Sequence, residues 1–236
     1  MLVVNSRRPL ALLASAVVAA SGALPIVLLT ATPAAAANIT TACAGDTSGT
    51  TFTLTANCST TEPLTVPNGF TIDGAGFTIS ATDAGVPQWN GGIVTNAGES
   101  MTIRNLKITG PELGFQLCTQ AGNVLYGIWF NDASGRVDNV TVDHIFQFQN
   151  NAFASCQTGR AIRADNASVP RTVRITRTTV MDYQKSGFES RGSATMHVRN
   201  STAGPPHPLE GLSAQNGVSF VNTTGGTVAQ HDPRQQ

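Results

Sequence analysis

Polar side chains able to do chemistry concentrate between residues 163 and 191, where Arg163, Asp165, Arg171, Asp182, Lys185, Glu189 and Arg191 follow one another. Guanidinium and ammonium groups neutralise a substrate carboxylate. A base beside them can then take the proton on the adjacent carbon, and the enolate that forms is stabilised electrostatically. Arg163, Lys185 and Arg191 are the candidates for carboxylate binding or proton abstraction. Asp182, Tyr183 and Glu189 stand among them as substrate contacts, and Trp129 offers a ring for stacking on a sugar. Asp143 and His144 add a base or a calcium ligand, calcium being a cofactor that sometimes helps such chemistry. The same charges also fit a solvated face with ordinary surface ion pairs, which contribute little.

Other signatures are missing. There is no Gly-x-Ser-x-Gly elbow, no phosphate-cradling glycine loop and no nucleotide motif. His197 falls inside a strand pattern as an exposed residue, and His207 lies between prolines in a loop. Four cysteines, Cys43, Cys58, Cys118 and Cys156, are an even set. The expected pairs are Cys43 with Cys58 and Cys118 with Cys156, as in proteins of oxidising compartments. No Cys-x-x-Cys pair supports a zinc site.

These side chains must be held by strands. Five segments begin at Ile72, Ile103, Val137, Ile175 and Val198, at steps of 31, 34, 38 and 23 residues. Each alternates apolar and polar residues and turns near Asn, Gly or Arg. Such a period signals a solenoid, with loops of unequal length. A second strand type precedes several of them: Gly92-Ile93-Val94, Gly127-Ile128-Trp129-Phe130, Ala161-Ile162-Arg163, Gly187-Phe188-Glu189 and Gly217-Val218-Ser219-Phe220. No long stretch repeats apolar residues at three and four positions, which disfavours helices. An antiparallel sandwich would alternate too, but without repeating two-strand units. The expected fold is therefore all-β, a right-handed single-stranded parallel β-helix (solenoid). In it Phe130 and Phe188 replace an Ile and belong to the core. Asn105, Asn139 and Asn200 stack as an internal amide ladder at a bend. The longest insertions, 110–126 and 146–160, would wall a binding face.

The run Gly-Phe-Thr-Ile-Asp-Gly-Ala-Gly-Phe-Thr-Ile at 69–79 resembles the opening coil of pectate-lyase-like β-helix proteins. Asp182-Tyr-Gln-Lys-Ser-Gly-Phe188 is similar to segments of secreted actinobacterial members. The likeness spans about residues 39 to 230 and concerns the fold, because this scaffold hosts lyases, hydrolases, epimerases, esterases and binders. It implies a protein that binds or processes extracellular polysaccharide, with uronate lyase or epimerase chemistry as the enzyme form. The alternative is a non-catalytic surface or matrix protein. Two departures restrain the enzyme reading: the paired aspartates of polygalacturonase-like hydrolases are missing, and so is the Arg-x-Pro-x-x-Arg element of the lyases. Val142-Asp143-His144 keeps only a fragment of a lyase motif.

Residues 1–37 read as a secretory signal, with Arg7 and Arg8, an apolar run from Leu10 to Thr30 and four alanines ending at Ala37. The run is long enough for an uncleaved anchor, against which Pro25 and Pro33 argue. Residues 38–60 then form an N-terminal cap, 61–230 the β-helix and 231–236 a disordered tail. Without the signal, 12 of the 14 basic residues remain against all 14 acidic ones, a formal charge of −2. That balance gives no reason to expect nucleic acid or an anionic membrane as partner. A secreted monomer is expected.

Overall fold

The computed structural model describes residues 36–82, 89–110, 124–146, 148–149, 152–153, 159–206, 215–223 and 225–229. The signal segment up to residue 35, Cys118, Cys156, His207, the tail 231–236 and most of the two long insertions lie outside the described residues.

The chain opens with β1 (Ala37–Asn38), the single turn α1 (Ile39–Ala42), and the antiparallel pair β2 (Gly45–Ser48) and β3 (Thr51–Leu54). Asn38 caps α1 by accepting a hydrogen bond from Thr40 N at 3.0 Å. This one turn of helix buries Ile39 completely. Short strands follow: β4 (Cys58–Thr60), β5 (Leu64–Val66), β6 (Thr71–Asp73), β7 (Thr78–Ala81) and β8 (Gly91–Asn96). Longer ones come next, β9 (Ser100–Thr109), β10 (Leu125–Asn131) and β11 (Ser134–Asp143). A small antiparallel pair, β12 (Phe148–Gln149) and β13 (Ala152–Phe153), stands apart. The chain continues through β14 (Arg160–Thr176), β15 (Thr179–Val180), β16 (Ser186–Arg199), β17 (Thr202–Ala203), β18 (Asn216–Val221) and β19 (Gly225–Ala229). A disulfide joins Cys43 to Cys58, as expected.

Except for β12 and β13, all strands belong to one curled sheet dominated by parallel pairing. Its pairings form three ladders. In the first, β5, β8, β10, β14, β16 and β18 pair in that order. The second runs β3, β6, β9, β11, β14, β16, β19. The third runs β4, β7, β9, β11, β15, β17. Long strands such as β9 and β11 bend and contribute to two ladders.

The bend explains how one strand serves two ladders. In β9 the buried residues are Met101 and Ile103, then Leu106 and Ile108. Alternation has a period of two, so strict continuation would turn the second pair outward. Asn105, at φ 50°, interrupts the alternation and returns both pairs to the core. Asn139 (φ 55°), Arg177 (φ 48°) and Asn200 (φ 49°) stand at the same corner of later passes. Asn tolerates this left-handed backbone better than most residues.

Register confirms the repeat read from the sequence. Ile72, Ile103, Val137, Ile175 and Val198 pair successively and form one apolar row. The second strand type is shifted at its first member: Val94, not Ile93, pairs with Ile128, and the row continues through Ile162, Phe188 and Val218. Phe130 and Phe188 are core residues. The asparagine ladder differs from expectation in two respects. Asn139 Nδ2 donates to Asn105 Oδ1 at 2.9 Å, and Asn105 Nδ2 to Asp73 Oδ1 at 3.1 Å. Asn139 is exposed, however, so the ladder runs along the outer surface of the corner. Arg177 also occupies the position between Asn139 and Asn200, which ends the amide chain.

Candidate functional site

On the first ladder, Trp129, Arg163 and Glu189 pair across β10, β14 and β16, flanked by Tyr126, Arg160 and Ser186 on one side and Asp165 and Arg191 on the other. Their polar atoms are spent on one another. Glu189, 3% exposed, accepts from Arg163 Nη1 at 3.0 Å through Oε1. Its Oε2 accepts from Arg160 Nε at 2.7 Å and Ser186 Oγ at 3.0 Å. Arg163 forks onto Asp165, with Nη2 to Oδ1 at 2.7 Å and Nε to Oδ2. Asp165 Oδ2 also accepts from Trp129 Nε1 at 2.9 Å. The Arg163 guanidinium lies 4.8 Å from the centre of the Tyr126 ring, itself edge-on to Trp129. Burial opposes the Arg163 charge, but the hydrogen bonds to Asp165 and the nearby negative groups outweigh it and raise its pKa. Burial likewise pushes the Tyr126 phenol up. Arg163 and Glu189 are thus buried and satisfied from within, while Asp165 keeps a quarter of its side chain exposed.

The other candidates on these strands do not converge with it. Lys185 is half-buried before β16, its N–H donating to Gly159 O at 2.6 Å. Arg191 is exposed six residues further on, about 20 Å away at the rise of an extended chain. It borders a shallow groove with Asp165, Asn166, Gly192 and Asn222. Tyr183 is a core residue, 1% exposed, whose hydroxyl reaches Gly204 O at 3.3 Å, so it offers no stacking surface.

Asp143 ends β11 on the third ladder, and His144 follows it. Asp143 Oδ2 meets Lys107 Nζ at 2.8 Å, and Oδ1 lies 3.0 Å from His144 Nδ1. His144 Nε2 is 3.3 Å from Asp182 Oδ2 on the next pass. Burial alone would push the Asp143 carboxyl up, but hydrogen bonds from Lys107, Thr109 and His144 hold it below the usual carboxylate range. Here the structure places the His144 imidazole between the neighbouring Asp143 and the distant Asp182, with Lys107 on the far oxygen of Asp143. Among the described residues no group of three or more His, Cys, Asp or Glu side chains could hold a metal ion.

The outer face of the second ladder was not singled out from sequence. Residues one before and one after each repeated apolar residue point outward, since neighbours alternate across a strand. The first row reads Thr71, Thr102, Arg136, Arg174, His197, Thr227. The second reads Asp73, Arg104, Asp138, Thr176, Arg199. Arg104 pairs with Asp73 at 2.9 Å. Asp138 takes Arg136 at 3.3 Å and Arg177 at 2.6 Å, besides a hydrogen bond from Thr176 at 2.6 Å. Burial alone would push the Asp73 carboxyl up, but Ala75 N–H, Asn105 and Arg104 together hold it down. Arg174 and Arg199 have no carboxylate partner among the described residues. Arg136, Arg174, Thr176, His197 and Arg199 surround a cleft of about 160 Å³. The signal was present in the sequence, as the basic residues beside Val137, Ile175 and Val198.

Comparison with protein-family models, with characterised proteins and with solved structures finds no match. Among the described residues no helix is long and apolar enough to cross a membrane.

Proposed function

We propose that this chain is a right-handed single-stranded parallel β-helix of the pectate-lyase-like type, exported through residues 1–37, which binds an acidic extracellular polysaccharide on the outer face of its second ladder. The observation that carries this reading is the pair of exposed arginines, Arg174 and Arg199, without carboxylate partners among the described residues, beside Arg136 and His197. Guanidinium groups form strong forked hydrogen bonds with carboxylates. The disulfide fits an oxidising compartment. Binding is favoured over catalysis because the Arg163 and Glu189 network is buried and internally satisfied.

The test is equilibrium binding of the mature protein to pectate, alginate and a neutral glucan, with absorbance followed at the unsaturated-uronate band. Acidic polymers are expected to bind at low salt and to release as ionic strength rises, the neutral one not to bind, and absorbance to stay flat. Arg174→Ala with Arg199→Ala removes the binding. Equal affinity for both kinds of polymer overturns the reading, and rising absorbance replaces it by a lyase.

A further inference from the structure

The apolar rows of the sheet come out of cover at its last pass. Ile72, Ile103, Val137, Ile175 and Val198 are at most 2% exposed, whereas Val228, next in that row, is 57% exposed. On the first ladder Phe188 and Ser190 are buried, while their successors are a half-buried Val218 and a Phe220 that is 40% exposed. Only Val169 joins Phe220 and Val228 as an exposed large apolar residue among the described ones. The backbone is open at the same end. Among the described residues β17 pairs only with β15, and β18 and β19 only with β16, which leaves a row of N–H and C=O groups unmatched. Exposed edges are ordinarily protected by charged residues or Pro. None stands in β17, β18 or β19, although β16 just before them carries Glu189, Arg191 and Arg199.

From this we infer that the protein forms a two-fold symmetric dimer, in which β18 of one copy pairs antiparallel with β18 of the other about Ser219. The opposite end of the sheet is not the occupant. There β2 lies antiparallel on β3 with Asp46, Thr47 and Ser48 exposed, and a disulfide ties Cys58 of β4 to Cys43 at the end of α1. That polar edge does not continue the apolar rows, so head-to-tail stacking fails and two like ends close on each other. The sequence of β18 is complementary to itself. Directly opposite residues of an antiparallel pair face the same side. Centred on Ser219, Val218 meets the partner's Phe220, Phe220 meets the partner's Val218, and the two outward serines face one another. A slip of one residue sets every apolar side chain against an outward one. A slip of two leaves Phe220 opposite Asn216, or Val218 opposite Asn222. Phe220 also packs on Gly226, where a side chain has no room, so β18 and β19 present one surface and Val228 goes under the same contact.

The experiment is sedimentation equilibrium of the mature protein over a concentration series, with variants at the two-fold axis. The parent is expected to reach twice the monomer mass. Ser219 points away from the core, so Ser219→Lys and Ser219→Glu should keep the far-ultraviolet circular dichroism of the parent. Each sets two like charges face to face and should weaken association by about tenfold or more, and an equimolar mixture of the two should restore it. Oxidised Ser219→Cys should run as a disulfide-linked dimer, whereas Thr47→Cys at the other end should not. A parent that stays monomeric up to about 100 μM overturns the inference and assigns the cover of this edge to the chain's own residues or to another protein. Assembly beyond the dimer overturns the two-fold closure. Association that both charged variants leave unchanged overturns the pairing through β18.

Discussion

Glu189 neutralises Arg160 and Arg163 together, and all three are largely buried. Replacing it by alanine leaves two guanidinium groups short of a partner inside the protein, so Glu189→Ala is expected to destabilise the fold by about 3–5 kcal/mol. Urea denaturation at neutral pH measures this, and a loss under about 1 kcal/mol would mean that the network is held by Asp165 instead. Asp143 gives a pH-dependent effect. Its folded pKa is depressed, so its contribution is complete above the unfolded carboxylate value and is lost as pH falls through the folded one. Asp143→Asn should therefore be less stable than the parent at pH 7, with the gap closing as pH drops below about 4. A gap that does not change with pH would show that Lys107 and His144 act on Asp143 only through shape.

At the scale of elements, corners decide what was legible beforehand. Ile72, Ile103, Val137, Ile175 and Val198 were readable because the core forces an apolar residue at one position of every pass. Asn105 and Asn139 were readable as a stacked pair for the same reason, since they stand two residues beyond Ile103 and Val137. Their outward position was not, because a left-handed residue breaks the alternation from which facing is inferred. The polar cluster misled in a different way. Lys185, Glu189 and Arg191 are close along one extended stretch of chain, but neighbours on such a stretch spread over many ångströms, whereas Arg136, Arg174 and His197 adjoin only through register. Capping elements carry their own test. The Cys43 to Cys58 bond closes a separation of 15 residues, a loop whose loss costs about 3 kcal/mol. Replacing both cysteines by serine should lower stability by that amount in thermal or denaturant unfolding. An unchanged midpoint would mean that α1 and the β2–β3 pair hold the end unaided.

For the whole molecule, net charge hides what the surface presents. A formal charge of −2 over residues 38–236 gives no hint of a basic face, yet five arginines and two aspartates share the second ladder's outer side and its corner. The remaining charge lies elsewhere, so for the polysaccharide binding proposed above long-range attraction is weak and recognition comes from contact with the face itself. Because each pass pairs only with the passes before and after it, the inner row of Ile and Val is the requirement for adding another, and the outer side chains are free of it. The dimensions of the face are thus a matter of copy number. Duplicating one pass between β11 and β14 would lengthen the basic row by one position while leaving the disulfide-bonded end untouched. On the proposed function, a change in the length of polymer bound would need no new site, only one more pass of the same strands.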